Sequence, residues 1–187
     1  MVNNKLKFIR YVKRSFLRIG IHRFLPAKLL VRLGYISYLS QWIRRHKNIG
    51  YTTFPFNGFN SKLREGLYEY LIDTQSLDDE IDYLEFGVAQ GTSFKWWIDH
   101  IRNKKARFNG FDTFTGLPED WGHFKKGDMT SNNEQPKIDD DRHQFHQGLF
   151  KVTLPRFLED YTGLRRKVIH LDADLFSSTL FVLTSLS

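Results

Sequence analysis

One stretch of the sequence constrains the fold more than any other, the eleven residues Tyr83-Leu84-Glu85-Phe86-Gly87-Val88-Ala89-Gln90-Gly91-Thr92-Ser93. It predicts a buried strand over 81–86, a tight turn on two glycines and a helix that begins near Thr92. Gly87 and Gly91 allow backbone to approach a ligand closely, and the first N–H groups of the helix form an anion site. The pattern favours a nucleotide-type cofactor pocket, with a tight turn that binds no ligand as the alternative.

Alternating strand and helix patterns follow this turn. The predicted elements are a strand at 81–86, a helix at 92–103, a strand at 107–111, a strand at 143–147, a helix at 153–161 and a strand at 167–172. Such an order predicts a parallel sheet with right-handed crossovers. The fold class is therefore expected to be α/β, with a Rossmann-like sheet.

The sequence stops soon after the fourth predicted strand. Residues 178–187 begin a helix pattern, and no fifth strand follows. Because an apolar strand makes a poor sheet edge, we expect this chain to be truncated relative to a longer protein.

Basic residues are concentrated in the N-terminal part. The first 50 residues hold twelve Lys or Arg and no Asp or Glu, whereas the rest of the 187-residue chain holds sixteen basic and twenty-one acidic residues. An amphipathic helix with a basic polar face is predicted by the apolar residues Leu6, Ile9, Val12, Phe16 and Ile19. A second helix is expected after Pro26, a connector over 50–60 and another helix over 61–74. The chain then divides into a basic helical extension, 1–60, and an α/β domain, 61–187.

This extension suits an anionic membrane surface better than nucleic acid, because basic residues flank an apolar stripe. A basic face that is merely solvated is the alternative. No apolar run reaches the ~18 residues of a membrane span. The absence of cysteine excludes disulfides and thiolate sites and fits a reducing compartment. We expect a cytoplasmic protein with peripheral membrane contact through residues 1–50 and no nucleic-acid partner.

Two acidic residues follow the glycine turn in the predicted topology. Asp112 ends the second strand, twenty-five residues after Gly87, where a carboxylate can accept both ribose hydroxyls of a bound nucleoside. The alternative for Asp112 is a helix cap or loop aspartate. Glu85 is expected either to accept from loop N–H groups or to contact the cofactor.

A second acidic pair, Asp172 and Asp174, lies at the carboxyl end of the fourth strand. Residues i and i+2 of a strand point the same way, so both carboxylates can face one site. Two such carboxylates repel unless a proton or cation offsets them, and hard oxygen ligands suit Mg²⁺. We therefore predict a metal or catalytic-base role for the pair, with a helix cap near Ser177 as the alternative. His170 is a weaker candidate for proton transfer.

The long polar stretch 113–142 is expected to be either a functional loop or a disordered one. Its aromatic residues Phe114, Trp121 and Phe124 are predicted to be exposed and to cover a ligand.

Four ordered motifs resemble a known family. They are Glu85-Phe86-Gly87 with Gly91-Thr92-Ser93, then Gly110-Phe111-Asp112-Thr113-Phe114-Thr115-Gly116-Leu117-Pro118-Glu119, then Gln147-Gly148-Leu149-Phe150 with Thr153-Leu154-Pro155, and Leu171-Asp172-Ala173-Asp174-Leu175 with Ser177-Ser178-Thr179. Over residues 81–183 the chain resembles the macrocin O-methyltransferase family, class I S-adenosylmethionine-dependent enzymes that act on sugar hydroxyls.

The resemblance implies a class I methyltransferase fold that binds S-adenosylmethionine and a small-molecule or glycan acceptor. According to this resemblance, the residues that bind the cofactor would be Glu85, Gly87, Gly91, Thr92, Ser93 and Asp112. Asp172 and Asp174 would hold Mg²⁺ or act as base beside the acceptor hydroxyl. The loop 113–142 would form part of a substrate lid.

The chain departs from the family pattern at two places. The family continues into a fifth strand whose acidic pair completes the metal site, and that strand is missing here. Val152 stands where an acidic residue is usual. These departures predict that the chain as given binds cofactor poorly or is inactive.

Two other hypotheses about the function compete with the methyltransferase prediction. A dinucleotide-binding oxidoreductase needs a Gly-x-Gly-x-x-Gly turn, and position 89 is Ala. The other is a membrane- or nucleic-acid-binding module carried on an inactive Rossmann-like fragment.

Overall fold

The computed structural model describes residues 4–20, 23–46, 50–51 and 60–187. The chain forms two compact units, Met1–Thr52 and Thr53–Ser187. The predicted connector over 50–60 falls largely outside the described residues.

The first unit contains two helices, α1 (Asn4–Ile19) and α2 (Ala27–Arg45). The amphipathic pattern predicted α1, and the helix expected after Pro26 is α2. All residues of both helices are described, and none of their side chains is buried. In the described part of the chain, no helix is both long enough and apolar enough to cross a membrane.

The second unit is an α/β sheet with helices on both faces. Its elements are α3 (Ser61–Gln75), β1 (Ile81–Phe86), α4 (Thr92–His100), β2 (Arg107–Asp112), β3 (His143–Gln147), α5 (Phe150–Asp160), β4 (Arg166–Leu171) and α6 (Phe176–Ser185). All strand pairs are parallel, in the order β3-β2-β1-β4. This order confirms the predicted α/β, Rossmann-like sheet.

Alternation along the central strand β1 supplies one apolar core on each face of the sheet. Tyr83 packs with Phe94 and Trp97 of α4 on one face. Leu84 and Phe86 pack on the other face, with α5 and α6. All six residues of β1 are buried, including the acidic Asp82 and Glu85, whose carboxylates accept hydrogen bonds from neighbouring side chains.

Helix α5 begins one turn earlier than predicted. The sequence suggested a start at Thr153, which would have placed Pro155 in the first turn, where proline is tolerated. Instead the helix begins at Phe150, and Pro155 lies inside it. Phe150 packs edge-on against Phe86, with ring centroids 5.3 Å apart, so apolar packing favours the additional turn.

The loop 113–142 differs from expectation at one aromatic residue. Trp121 and Phe124 are exposed as predicted, and their rings stack on each other. The prediction for Phe114 is wrong, because its side chain is buried in the core on the α4 face, against Phe145. Phe114 adopts a φ of +57°, which turns the chain back toward the sheet directly after β2.

Candidate functional site

The candidate site lies where the direction of chain winding reverses in the sheet. The chain proceeds from β1 to β2 and β3 on one side and places β4 on the other side of β1. A crevice opens at such a point beyond the carboxyl ends of the strands. The residues that follow β1 and β4, Gly87 and Asp172, both line it.

Gly87 allows the two strand ends to approach closely. Its N–H donates to the carbonyl oxygen of Phe111, and the N–H of Asp172 donates to the carbonyl oxygen of Phe86, both at 2.9 Å. Its φ is +97°, and a Cβ atom at this position would overlap the carbonyl group of Asp172. Only glycine meets both requirements without strain.

The turn after Gly87 leads into α4, whose first residues line the crevice. Gly91, at a φ of +77°, is the N-cap of α4 and provides no side-chain cap. Thr92 and Ser93 begin the helix and line the crevice, as does Ala89. Ala89 also has a positive φ, +48°, a conformation that costs about 1 kcal/mol for a residue with a Cβ.

Asp112 connects this turn to the loop that follows β2. Its Oδ2 accepts from the N–H of Ala89 and its Oδ1 from the N–H of Phe114, both at 2.8 Å. Each carboxylate oxygen has two lone pairs, so both retain capacity toward a ligand. Asp112 thus lies at the predicted position, on the wall of the crevice.

The crevice has two compartments that meet at Gly87, Ala89, Met129 and Asp172. The first has a volume of about 260 Å³, and its further lining includes Asp112, Leu117, Leu149, Phe150, Asp174 and Leu175. The second has a volume of about 480 Å³, and its further lining includes Arg64, Tyr68, Thr92, Ser93, Trp96 and Ser131. Together they fall within the roughly 300–1,000 Å³ usual for small-molecule sites.

Glu85 lies beneath the turn and is fully buried. Its carboxylate accepts from the hydroxyl of Tyr83 at 2.5 Å and from the hydroxyl of Ser93 at 2.6 Å. Burial and the neighbouring Glu85 raise the pKa of Tyr83 well above its usual range, which keeps this hydroxyl a donor. Glu85 therefore ties β1 to the first turn of α4, and its predicted contact with a cofactor stays a prediction.

His170 joins this buried group from β4. Its Nδ1 lies 2.9 Å from the hydroxyl of Tyr83 and 3.4 Å from Oε2 of Glu85. Because the single hydroxyl proton of Tyr83 is given to Glu85, His170 donates from Nδ1. His170 is thus one of the residues that hold the turn, β1 and β4 together.

Asp172 and Asp174 both line the first compartment. Both follow β4, which ends at Leu171, and Ala173 between them lines the compartment too, so strand alternation is not what brings the pair together. Oδ2 of Asp172 also accepts from Arg64 of α3 at 3.4 Å. Partial burial and the charge of Asp172 raise the pKa of Asp174. Among the described residues there is no group of three or more His, Asp or Glu side chains that could hold a metal ion.

Asp174 gives the stability of the protein a predictable pH dependence. The pKa of Asp174 in the folded chain lies above its ordinary value of 3.8, so the ionised carboxylate disfavours folding at neutral pH. This penalty is complete above the folded pKa and disappears as pH falls through the ordinary value. We expect Asp174→Asn to stabilise the chain at pH 7 and to have less effect near pH 4. Urea unfolding of both proteins at the two pH values measures the difference, and an Asn variant that is less stable at pH 7 would contradict it.

Several residues of the crevice carried no signal in the sequence. Arg64 and Tyr68 come from α3, where their spacing resembled that of any amphipathic helix, and only long-range packing brings them to Asp172. Met129 and Ser131 come from the long loop. Leu117, Leu149 and Phe150 belong to the family-like motifs, and the apolar character of those motifs was the available signal.

Neither a protein-family model nor a curated protein matches the chain. Among solved structures, the chain is similar to one described as the apo structure of CalS11, TDP-rhamnose 3′-O-methyltransferase, an enzyme in calicheamicin biosynthesis. The identity is 22%, the alignment covers 75% of this chain and 67% of that one, and the TM-score is 0.47.

Proposed function

We propose that this chain binds S-adenosylmethionine and functions as an S-adenosylmethionine-dependent O-methyltransferase. The observation that carries the proposal is that Gly87, Asp112 and Asp172, from three neighbouring strand ends, line one compartment at the switch point of the sheet. Open α/β sheets bind nucleotides at this place, and a carboxylate such as that of Asp112 can accept hydrogen bonds from ribose hydroxyls there. The resemblance of the four motifs to sugar O-methyltransferases supports a sugar or glycosylated acceptor.

The carboxylate of Asp112 would accept hydrogen bonds from the ribose hydroxyls of the cofactor. Its two oxygens are already oriented by the N–H groups of Ala89 and Phe114. The apolar side chains of Leu117, Leu149 and Phe150 form a wall of the same compartment, which suits the faces of an adenine ring. The methionine part would then extend past Gly87 toward the N-terminus of α4.

S-Adenosylmethionine supplies an electrophilic methyl group when it is bound. The acceptor hydroxyl must lose its proton as it attacks, and Asp172 and Asp174 are the carboxylates available to take it. The raised pKa of Asp174 makes its carboxylate a stronger base than an ordinary aspartate.

A hard cation such as Mg²⁺ is the alternative to the base role, because it would offset the repulsion between the carboxylates, which would then be its ligands. As the described residues add no third side-chain ligand, water and an acceptor oxygen would complete the ligand set.

Replacement of Asp112 tests the proposal most directly. We expect S-adenosylhomocysteine to bind the unaltered chain in calorimetric titration and Asp112→Asn to weaken binding by about 2 kcal/mol, roughly 30-fold, since the ribose loses hydrogen bonds to a charged acceptor. Asn also presents an NH₂ group to one of the two backbone donors, so circular dichroism and thermal unfolding of each variant must accompany the titration.

Asp99→Asn is the matched control. Asp99 is an exposed aspartate of α4 that pairs with Lys95, and its replacement should leave affinity within about twofold. NADH is titrated in parallel. A folded chain that binds NADH and not S-adenosylhomocysteine, or that binds neither, would overturn the proposal.

A further inference from the structure

Helix α1 presents two opposite faces of different chemistry. Projected on a helical wheel, Phe8, Val12 and Ile19 lie within about 40° of one another on one face, and Lys7, Arg10 and Arg14 lie within about 60° of one another on the opposite face. The three apolar side chains are 68%, 48% and 69% exposed. We call these six residues, together with the rest of the α1 surface, the basic amphipathic surface.

The second helix of the same unit adds interfacial residue types. Tyr35, Tyr38 and Trp42 of α2 are more than half exposed, and Arg44 and Arg45 lie in its last turn. Tyrosine and tryptophan prefer the boundary between lipid chains and water, and arginine reaches phosphate groups from there. An exposed helix with this composition is poorly suited to plain solvent.

The charge of this unit has one sign. Twelve Lys or Arg occur before residue 51, and the first acidic residue of the chain is Glu65. A surface without carboxylates attracts anionic phosphate or carboxylate groups and repels none of them. Each basic residue near an anionic lipid surface strengthens membrane binding by electrostatic attraction. Exposed apolar residues on the same helix strengthen it further by inserting among the lipids.

We propose that the basic amphipathic surface binds anionic phospholipid and lies in the plane of the membrane interface. The apolar face of α1 enters the region between headgroups and acyl chains, and its basic face contacts lipid phosphates. The second unit, with its proposed cofactor site, is thereby tethered at the membrane.

Lipid is favoured over the other possible occupants by the apolar face. A nucleic acid would engage the basic residues and leave Phe8, Val12 and Ile19 in water. A second copy of the chain would bring twelve further positive charges to the same surface, which opposes association at low salt.

The test is co-sedimentation of the full chain with vesicles. The vesicles contain phosphatidylcholine alone or with about 30 mol % phosphatidylserine. Two triple variants separate the faces, Phe8→Ser/Val12→Ser/Ile19→Ser and Lys7→Gln/Arg10→Gln/Arg14→Gln. The matched control is Lys104→Gln/Lys126→Gln/Lys137→Gln, which removes three exposed charges from the second unit.

We expect binding to the phosphatidylserine vesicles that is weakened on the order of 100-fold by the basic-face variant and roughly tenfold or more by the apolar-face variant. The control should change it by less than about threefold. The proposal is overturned if the chain binds both vesicles equally, if it binds neither, or if the apolar-face variant binds like the unaltered chain. It is also overturned if duplex DNA competes fully with the vesicles, or if gel filtration shows a dimer that the apolar-face variant dissociates.

Discussion

Gly87→Ala is expected to abolish S-adenosylhomocysteine binding and to lower the free energy of unfolding by about 2–4 kcal/mol. The new Cβ would overlap the carbonyl group of Asp172, and that group is backbone, so relief requires β1 and β4 to separate. Their separation would displace Asp172 from the wall that both compartments share. Chemical unfolding and calorimetric titration of the same preparation measure the two effects.

Gly127→Ala separates the steric overlap from the cost of an unusual φ. Gly127 has a φ of +91°, close to that of Gly87, but nothing lies within 4 Å of a Cβ built there. We expect this control to lose only about 1 kcal/mol and to keep its affinity. If the two alanine variants behave alike, close approach of β4 is not the reason for the glycine.

Arg142→Met is expected to destabilise the chain by about 3–5 kcal/mol. The guanidinium of Arg142 is buried and donates to the carbonyl oxygens of Ile98, Ile101 and Asn103, at 2.9, 2.6 and 3.1 Å. It also pairs with Asp140 at 2.8 Å. Methionine fills a similar volume but leaves the carbonyl groups at the end of α4 without the guanidinium donor. It also removes the guanidinium from Asp140, whose carboxylate keeps the hydrogen bond from the backbone N–H of residue 142.

Arg107→Met is the comparison for this prediction. Arg107 is exposed and donates to the carbonyl oxygens of Lys104 and Ala106, so water can replace it at a cost within about 1 kcal/mol. Urea unfolding midpoints with the slope held common give both values. An Arg142 variant no less stable than the Arg107 variant would show that the buried guanidinium is not required for folding.

Local patterns predicted the sheet well. The bounds 81–86 and 143–147 agree with β1 and β3, and the glycine turn after Phe86 begins where expected. These features depend on residues close in sequence, where alternation, turn geometry and helix starts act directly. Asp112, Asp172 and Asp174 could be placed at one edge because parallel strands end together.

Long-range packing accounts for what the sequence did not reveal. Arg64 donates a hydrogen bond to Asp172, which lies more than a hundred residues away in the sequence. The residues near Arg64 in the sequence do not predict that hydrogen bond. Phe114 was misjudged because its neighbours are polar, and a single φ decides whether its ring faces the core. The buried hydrogen-bonded group of Tyr83, Glu85 and His170 is formed by two strands, β1 and β4. The sequence of either strand alone therefore did not indicate it.

The two hydrogen bonds of Asp112 have a thermodynamic consequence. One carboxylate holds the turn after β1 and the loop after β2 at the same time. A ligand that needs this carboxylate oriented therefore binds only when both segments are folded, and its binding energy is shared between them by linkage. Local opening of either segment would therefore appear as a weaker affinity for the ligand. Conversely, a higher ligand concentration would increase the fraction of molecules in which the thirty-residue loop 113–142 is ordered.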